Sequence, residues 1–165
     1  FGGSLADLDA VRKAIDLPIL RKDFMVDEYQ FYEARAHGAD VVLLIVAALS
    51  KYQLEDYYHL AKELGMRSLI EVHTYDELER ALEISPEIIG VNSRNLKTLD
   101  VDARAFSELI PQIPSTVARV AESGISTREE VAFAQQCGAT AILVGEALVR
   151  SESPSVAINQ LLGRL

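Results

Sequence analysis

The 165 residues predict an α/β fold: an incomplete (β/α)8 barrel with six parallel strands and surrounding helices. Three observations carry that expectation. Short β-rich apolar runs alternate with longer amphipathic runs from one end of the chain to the other. The run Val41-Val42-Leu43-Leu44-Ile45-Val46 is apolar on both faces, as a parallel strand covered on both sides must be. The polar side chains of the strand candidates collect at their C-terminal ends, where barrels of this kind carry their sites.

Taken in order, the chain opens with a helix whose Leu5, Leu8, Val11 and Ile15 lie on one stripe behind a capping Ser4. The strand candidates follow at Pro18 to Phe24, Asp40 to Ala47, Arg67 to His73, Ile88 to Asn92, Thr116 to Ala121 and Ala141 to Gly145. Three of the intervening helices start with capping-box spacings, Ser50-x-x-Gln53, Thr74-x-x-Glu77 and Ser126-x-x-Glu129, in which hydroxyl and N3 side chain satisfy two backbone donors reciprocally. Gly38, Gly65 and Gly138 stand where helix C-termini need a left-handed residue, each just ahead of the next strand. A last helix follows Pro154 and carries Val156, Ile158, Leu161 and Leu162. No linker or composition shift divides the string, so residues 1–165 read as a single barrel portion. Serial strand–helix units suit either an open sheet or a closed barrel. Right-handed crossovers with the helices on one side curl such a sheet toward a barrel, which needs eight strands against the six found here.

Composition narrows the function. A hydrophobic content of 49% and a mean hydropathy of +0.11 exclude a disordered polymer. The lone Cys137 excludes a disulfide framework and a cysteine zinc cluster, and it suits a reducing compartment. A net charge of -9 argues against nucleic acid and anionic membranes as partners. The longest apolar run, Val41 to Leu49, falls well short of the roughly 20 residues a membrane helix needs. A soluble, cytoplasmic protein is the expectation. Because the chain opens on Phe1 inside a loop-like Phe-Gly-Gly-Ser, it reads as a portion of a longer barrel.

The candidate site lies at the strand ends. With period-two alternation Leu20, Lys22 and Phe24 share a face, as do Leu69, Glu71 and His73, and Gly90 and Asn92. If those faces point inward, Lys22, Glu71 and Asn92 converge as catalytic residues. Each also has a structural reading: a solvated lysine, a buried glutamate paired with a cation, a turn asparagine. His73 reads as a loop residue rather than a metal ligand, since no ligand spacing supports a metal. A second constellation joins Ser123-Gly124 to Gly145-Glu146. Small residues at two consecutive terminal turns let backbone N–H groups approach an anion, which suggests a phosphate cup, the alternative being turns that need glycine for geometry alone.

Phe1-x-Gly-Ser4, Leu20-x-Lys-Asp-Phe24, Glu71-Val-His73, Gly90-Val-Asn-x-Arg-Asn-Leu96, Ala121-Glu-Ser-Gly-Ile125 and Leu143-Val-Gly145, all in family order, resemble indole-3-glycerol phosphate synthase over essentially the whole chain. That resemblance implies a TIM barrel of tryptophan biosynthesis. Its reaction takes 1-(2-carboxyphenylamino)-1-deoxyribulose 5-phosphate to indole-3-glycerol phosphate, carbon dioxide and water, without cofactor or metal. It implies that Lys22 is the general acid, with Glu71 and Asn92 orienting and exchanging protons. It implies apolar contacts to the substrate ring from Phe1, Phe24, Leu43, Ile45 and Leu143, and polar pocket roles for Arg94 and Glu122. Ser123, Gly124, Gly145 and Glu146 match the phosphate cup, the last through its backbone N–H. Ring closure onto a carbonyl needs a proton donor at the developing alkoxide and a group that can accept a proton, so a Lys/Glu pair suits it.

The six strands match the family's third to eighth. The family's N-terminal extension and its first two strands, with their lysine, have no counterpart here. Inward faces carrying Leu20, Leu43, Ile45 and Leu69 are then expected to be partly wetted. A polypeptide of these residues alone is expected to self-associate or to need the missing segment in trans, and to lack activity.

Overall fold

A computed structural model describes residues 2–164. The chain divides into two compact units. One contains the residues up to Glu71 together with Glu79–Glu87, the other Val72–Leu78 and the residues from Ile88 onward.

In the first unit, α1 (Leu5–Ala14) leads into β1 (Leu20–Arg21), α2 (Tyr29–Ala36), β2 (Val41–Ile45), α3 (Lys51–Glu63) and β3 (Arg67–Val72). The strands lie in the order β1-β2-β3, all parallel, with Leu20 beside Val41, Leu43 beside Leu69 and Ile45 beside Glu71. Helix α4 (Tyr75–Glu83) crosses the boundary between the units. The second unit carries β4 (Ile88–Asn92), α5 (Arg104–Leu109), β5 (Ala118–Glu122), α6 (Arg128–Gln136), β6 (Ala141–Leu143), the short α7 (Glu146–Val149) and α8 (Pro154–Leu161). Its strands are parallel in the order β4-β5-β6. The predicted set of six parallel strands is therefore present among the described residues.

Strand lengths differ from the sequence reading for local reasons. β1 is two residues, not seven, because the chain turns immediately after it. Asp23 Oδ1 accepts from the Phe24 N–H, and the Gln30 side chain donates to the Phe24 carbonyl while accepting from the Val26 and Asp27 N–H groups. β2 stops at Ile45, where Val46–Ala48 fold into a 3-10 turn. β5 starts later than expected, after a turn in which Val117 N–H donates to the Pro114 carbonyl, and it runs on to Glu122. β6 ends at Leu143, short of Gly145.

The helix starts are encoded locally. Ser50 and Gln53 form the expected capping box, and Ser4 forms one with Asp7. At α6 the box lies one residue later than predicted, on Thr127 and Glu130. Glu130 Oε2 there gathers the Ser126 N–H at 2.7 Å, the Thr127 N–H at 2.9 Å and the Ser126 hydroxyl at 3.0 Å. Burial raises the Glu130 carboxyl, but these donors outweigh it and hold it below the usual carboxylate range. At α4 Thr74 Oγ1 accepts from the Glu77 N–H as expected, whereas the Glu77 carboxylate reaches back to the His73 N–H.

The expected wetting of the inward faces is corrected. Leu43, Ile45 and Leu69 are all buried, and Leu20 alone of the four is half-buried. Side chains in one row of a parallel sheet stand about 4.8 Å apart and cover one another's flanks, so the exposed loss falls on the edge strand.

α1 is different: none of its residues is buried. Two side chains tie it down: Asp9 Oδ1 meets His37 Nδ1 at 2.8 Å, and Arg12 donates to Asp40 Oδ2 at 2.8 Å and to the Ile15 and Leu17 carbonyls at 2.6 and 2.8 Å. Its stem packs over Gly38, where φ is +86° and an added Cβ would lie 2.7 Å from Arg12 Cγ and Cδ. The Ile19 N–H and Arg12 hold the Asp40 carboxyl below its ordinary value against the opposing effect of burial. A depressed carboxyl contributes stability above its unfolded value, near 3.9, that is lost as pH falls through the folded value. Arg12→Ala is therefore expected to lower hydrogen-exchange protection in α1 sharply while leaving β2 and β3 protected, and acidification below about pH 4 should weaken the same attachment.

Candidate active site

Two clusters of polar groups stand at the C-terminal ends of the strands, one in each unit. In the first, Glu71 is the penultimate residue of β3 and is 1% exposed, in the row that places it beside Ile45. A buried carboxylate is costly unless it is compensated. Lys22, just beyond the paired part of β1, places Nζ 3.1 Å from Glu71 Oε2, with its side chain 36% exposed. The pair joins a donor that reaches solvent to a carboxylate that does not. Leu43 and Ile45 supply buried apolar surface from β2. Phe24 lies in the turn after β1 and is mostly exposed. Phe1, assigned to the ring contact, lies outside the described residues.

In the second unit, parallel register sets Asn92, Glu122 and Leu143 in one row across β4, β5 and β6. Asn92 and Glu122 are buried. Asn92 Oδ1 accepts the Arg94 N–H at 3.0 Å, so the turn reading of Asn92 holds for its oxygen while the carboxamide nitrogen is its remaining donor. Arg94 begins an excursion closed by an isolated antiparallel bridge to Val101, and its guanidinium donates to the Leu99 carbonyl and to Glu146 Oε2. Beyond β5, Ser123 and Gly124 are consecutive left-handed residues, with φ of +66° and +65°. A Cβ on Gly124 would come within 2.4 Å of Val101 Cγ1, so this turn needs glycine both for its φ and for the close approach. Gly145, at φ −118°, is not left-handed, and it caps α7, whose first N–H groups have no partner within the helix. Glu146 directs its carboxylate to Arg94 and Arg150.

Ser93 escaped the sequence reading although it stands inside the quoted Gly90 to Leu96 motif. Its buried hydroxyl lies 3.2 Å from the carbonyls of Glu122 and Ser123 and ties the end of β4 to the turn after β5. The Glu77–His73 contact also escaped it. Glu77 Oε2 accepts from the His73 N–H at 2.7 Å and meets Nδ1 at 3.1 Å. Burial raises the Glu77 carboxyl, but these His73 contacts leave it below the usual range. His73 is thus oriented by a carboxylate, and among the described residues no cluster of three or more His, Cys, Asp or Glu is arranged for a metal. No helix among the described residues is long and apolar enough to cross a membrane.

The family model for indole-3-glycerol phosphate synthase matches residues 1–161. A relative of that name from Arthrobacter sp. (strain FB24) is 57% identical over 154 residues, 93% of this chain and 57% of the relative. Indole-3-glycerol phosphate synthase 1 of Streptomyces coelicolor is 52% identical over 163 residues, 98% of this chain and 60% of the relative. The chain thus spans less than two thirds of the length of these relatives. Among solved structures, a mutant tryptophan synthase α-subunit from the hyperthermophile Pyrococcus furiosus matches 98% of this chain and 75% of its own at a TM-score of 0.77 and 18% identity. The native KDPGal structure matches with a TM-score of 0.66 at 17% identity, over 97% of this chain and 71% of its own. At such identities the likeness concerns the fold, which is that of a TIM barrel.

Proposed function

The chain belongs to the indole-3-glycerol phosphate synthase family, and from that premise we propose that the complete protein closes the indole ring of 1-(2-carboxyphenylamino)-1-deoxyribulose 5-phosphate, releasing carbon dioxide and water. The observation that carries the chemistry is the Lys22–Glu71 pair, an ammonium donor held 3.1 Å from a carboxylate that is 1% exposed.

The reaction begins when the ring carbon bearing the carboxylate attacks the ribulose carbonyl. Negative charge collects on the carbonyl oxygen, and Lys22 delivers a proton there. Loss of carbon dioxide restores the aromatic ring. The new hydroxyl then leaves as water with a second proton from an acid, and the adjacent carbon gives up a proton as the indole double bond forms. Each of these last steps moves a proton, so a general acid that works twice needs a partner with which to exchange protons. Glu71 takes that part in this proposal, and Asn92 Nδ2 supplies a neutral donor that orients the substrate. Glu122, Arg94 and the apolar Phe1, Phe24, Leu43, Ile45 and Leu143 are assigned to the substrate pocket. The N–H groups of the Ser123-Gly124 and Gly145-Glu146 turns are assigned to its phosphate. A cytoplasmic setting suits a phosphorylated biosynthetic substrate.

The test is turnover by the full-length protein, followed by the fluorescence of the indole product. Accumulation of product confirms the reading. Saturable substrate binding without product would instead favour an idle, phosphate-binding barrel.

A further inference from the structure

In the second unit the Arg94 guanidinium reaches two acceptors distant from it in sequence or across a loop. Its Nη1 donates to the Leu99 carbonyl at 3.1 Å, and its Nη2 lies 3.2 Å from Glu146 Oε2. The other oxygen of that carboxylate, Oε1, lies 3.1 Å from Nη2 of Arg150, the residue that follows α7. Glu146 therefore bridges two arginines. Its bond to Arg94 is single, not the paired fork that a guanidinium forms with a well-placed carboxylate. Glu146 is also more than half exposed, and ion pairs in such settings hold weakly.

We propose that the Glu146 side chain is a built-in competitor for Arg94. It fills the guanidinium until an oxyanion of the substrate displaces it, and Arg150 keeps the displaced carboxylate neutralised. This rests on the reading above that Arg94 lines the substrate pocket. The family resemblance assigned Glu146 a role through its backbone N–H alone; the competition assigns the side chain a second and opposing one. A net charge of -9 repels anions at long range, so local contacts decide which anion reaches Arg94, and a bare guanidinium by itself distinguishes poorly among small anions. An intramolecular carboxylate sets a threshold that weak monovalent anions fail to pass, which is selection by disfavouring the wrong ligand. The substrate offers two oxyanions, a ring carboxylate and a phosphate, and both have the chemistry the guanidinium recognises.

The experiment uses full-length protein as wild type, Glu146→Gln, Arg94→Gln, the double variant and Arg150→Gln. Dissociation constants are measured by calorimetry for anthranilate and, separately, for inorganic phosphate at fixed ionic strength. Removing a weak exposed competitor is expected to tighten one of the two anions about two- to fivefold in Glu146→Gln. That gain should vanish when Arg94 is also replaced, and Arg150→Gln should weaken the same anion. Anthranilate as the responsive probe identifies the carboxylate as the displacing group, and phosphate identifies the phosphate. Unchanged or weaker binding of both in Glu146→Gln overturns the proposal, as does a gain that survives Arg94→Gln, which would reflect net charge alone. The turnover assay separates the two readings. Absent product with the Arg94-dependent gain intact removes the synthase reading only, and normal turnover without the gain removes the competition only.

Discussion

Alanine in place of Lys22 in the full-length protein is expected to lower kcat by at least about a hundredfold, the usual size of a general acid's contribution. The effect should appear in kcat more than in KM, because the proton is needed where charge develops in the transition state and not in the bound substrate. A raised KM with unchanged kcat would reassign Lys22 to binding. Glu71→Gln is the companion measurement. The carboxamide keeps the shape and a hydrogen-bonding oxygen next to Nζ but cannot exchange protons as a carboxylate does. It should depress kcat more than substrate affinity. If thermal stability alone moved, Glu71 would be a structural partner of Lys22, since breaking a buried pair destabilises whatever its chemistry. The double variant should cost little more than the worse single variant, because two residues acting as a unit are not additive.

Gly124→Ala is expected to destabilise the protein by about 2 to 5 kcal/mol, lowering its melting temperature by roughly 5 to 15 °C. Two causes act together. The residue sits at φ +65°, which costs an alanine backbone energy, and its new Cβ would meet Val101 Cγ1 at 2.4 Å. Thermal melts of three variants separate the causes. Val101→Ala removes the clashing methyl from a partly exposed side chain and should recover the packing share in the double variant, leaving the backbone share. A single variant that melts like wild type would show that the turn relaxes away from its left-handed geometry. Because Val101 also pairs with Arg94, the unrelieved clash should displace the Arg94 loop and reduce anion binding along with stability.

Much of this protein is written in local pattern. The doubly apolar Val41–Ile45, the cap of Ser50 with Gln53 and the left-handed Gly38, Gly65 and Gly138 all depend on residues within four positions of one another. Neighbours that near are set by the backbone period itself. The same period, with the family motifs, put Lys22 and Glu71 at the ends of two strands, where the structure joins them. Other features depended on partners that no period specifies. β1 ends after Arg21 because Asp23 and Gln30 take the hydrogen bonds a longer strand would need. The α6 box shifted by one residue because Glu130 could collect three donors at once. Ser93 reaches the carbonyls of Glu122 and Ser123 across roughly 30 positions, and Arg94 meets Glu146 across 52. Such choices are made by strand register and by the path of the loops. A side chain's alternation along a strand therefore foretells which face it occupies, and only the assembled sheet decides which distant group it meets there.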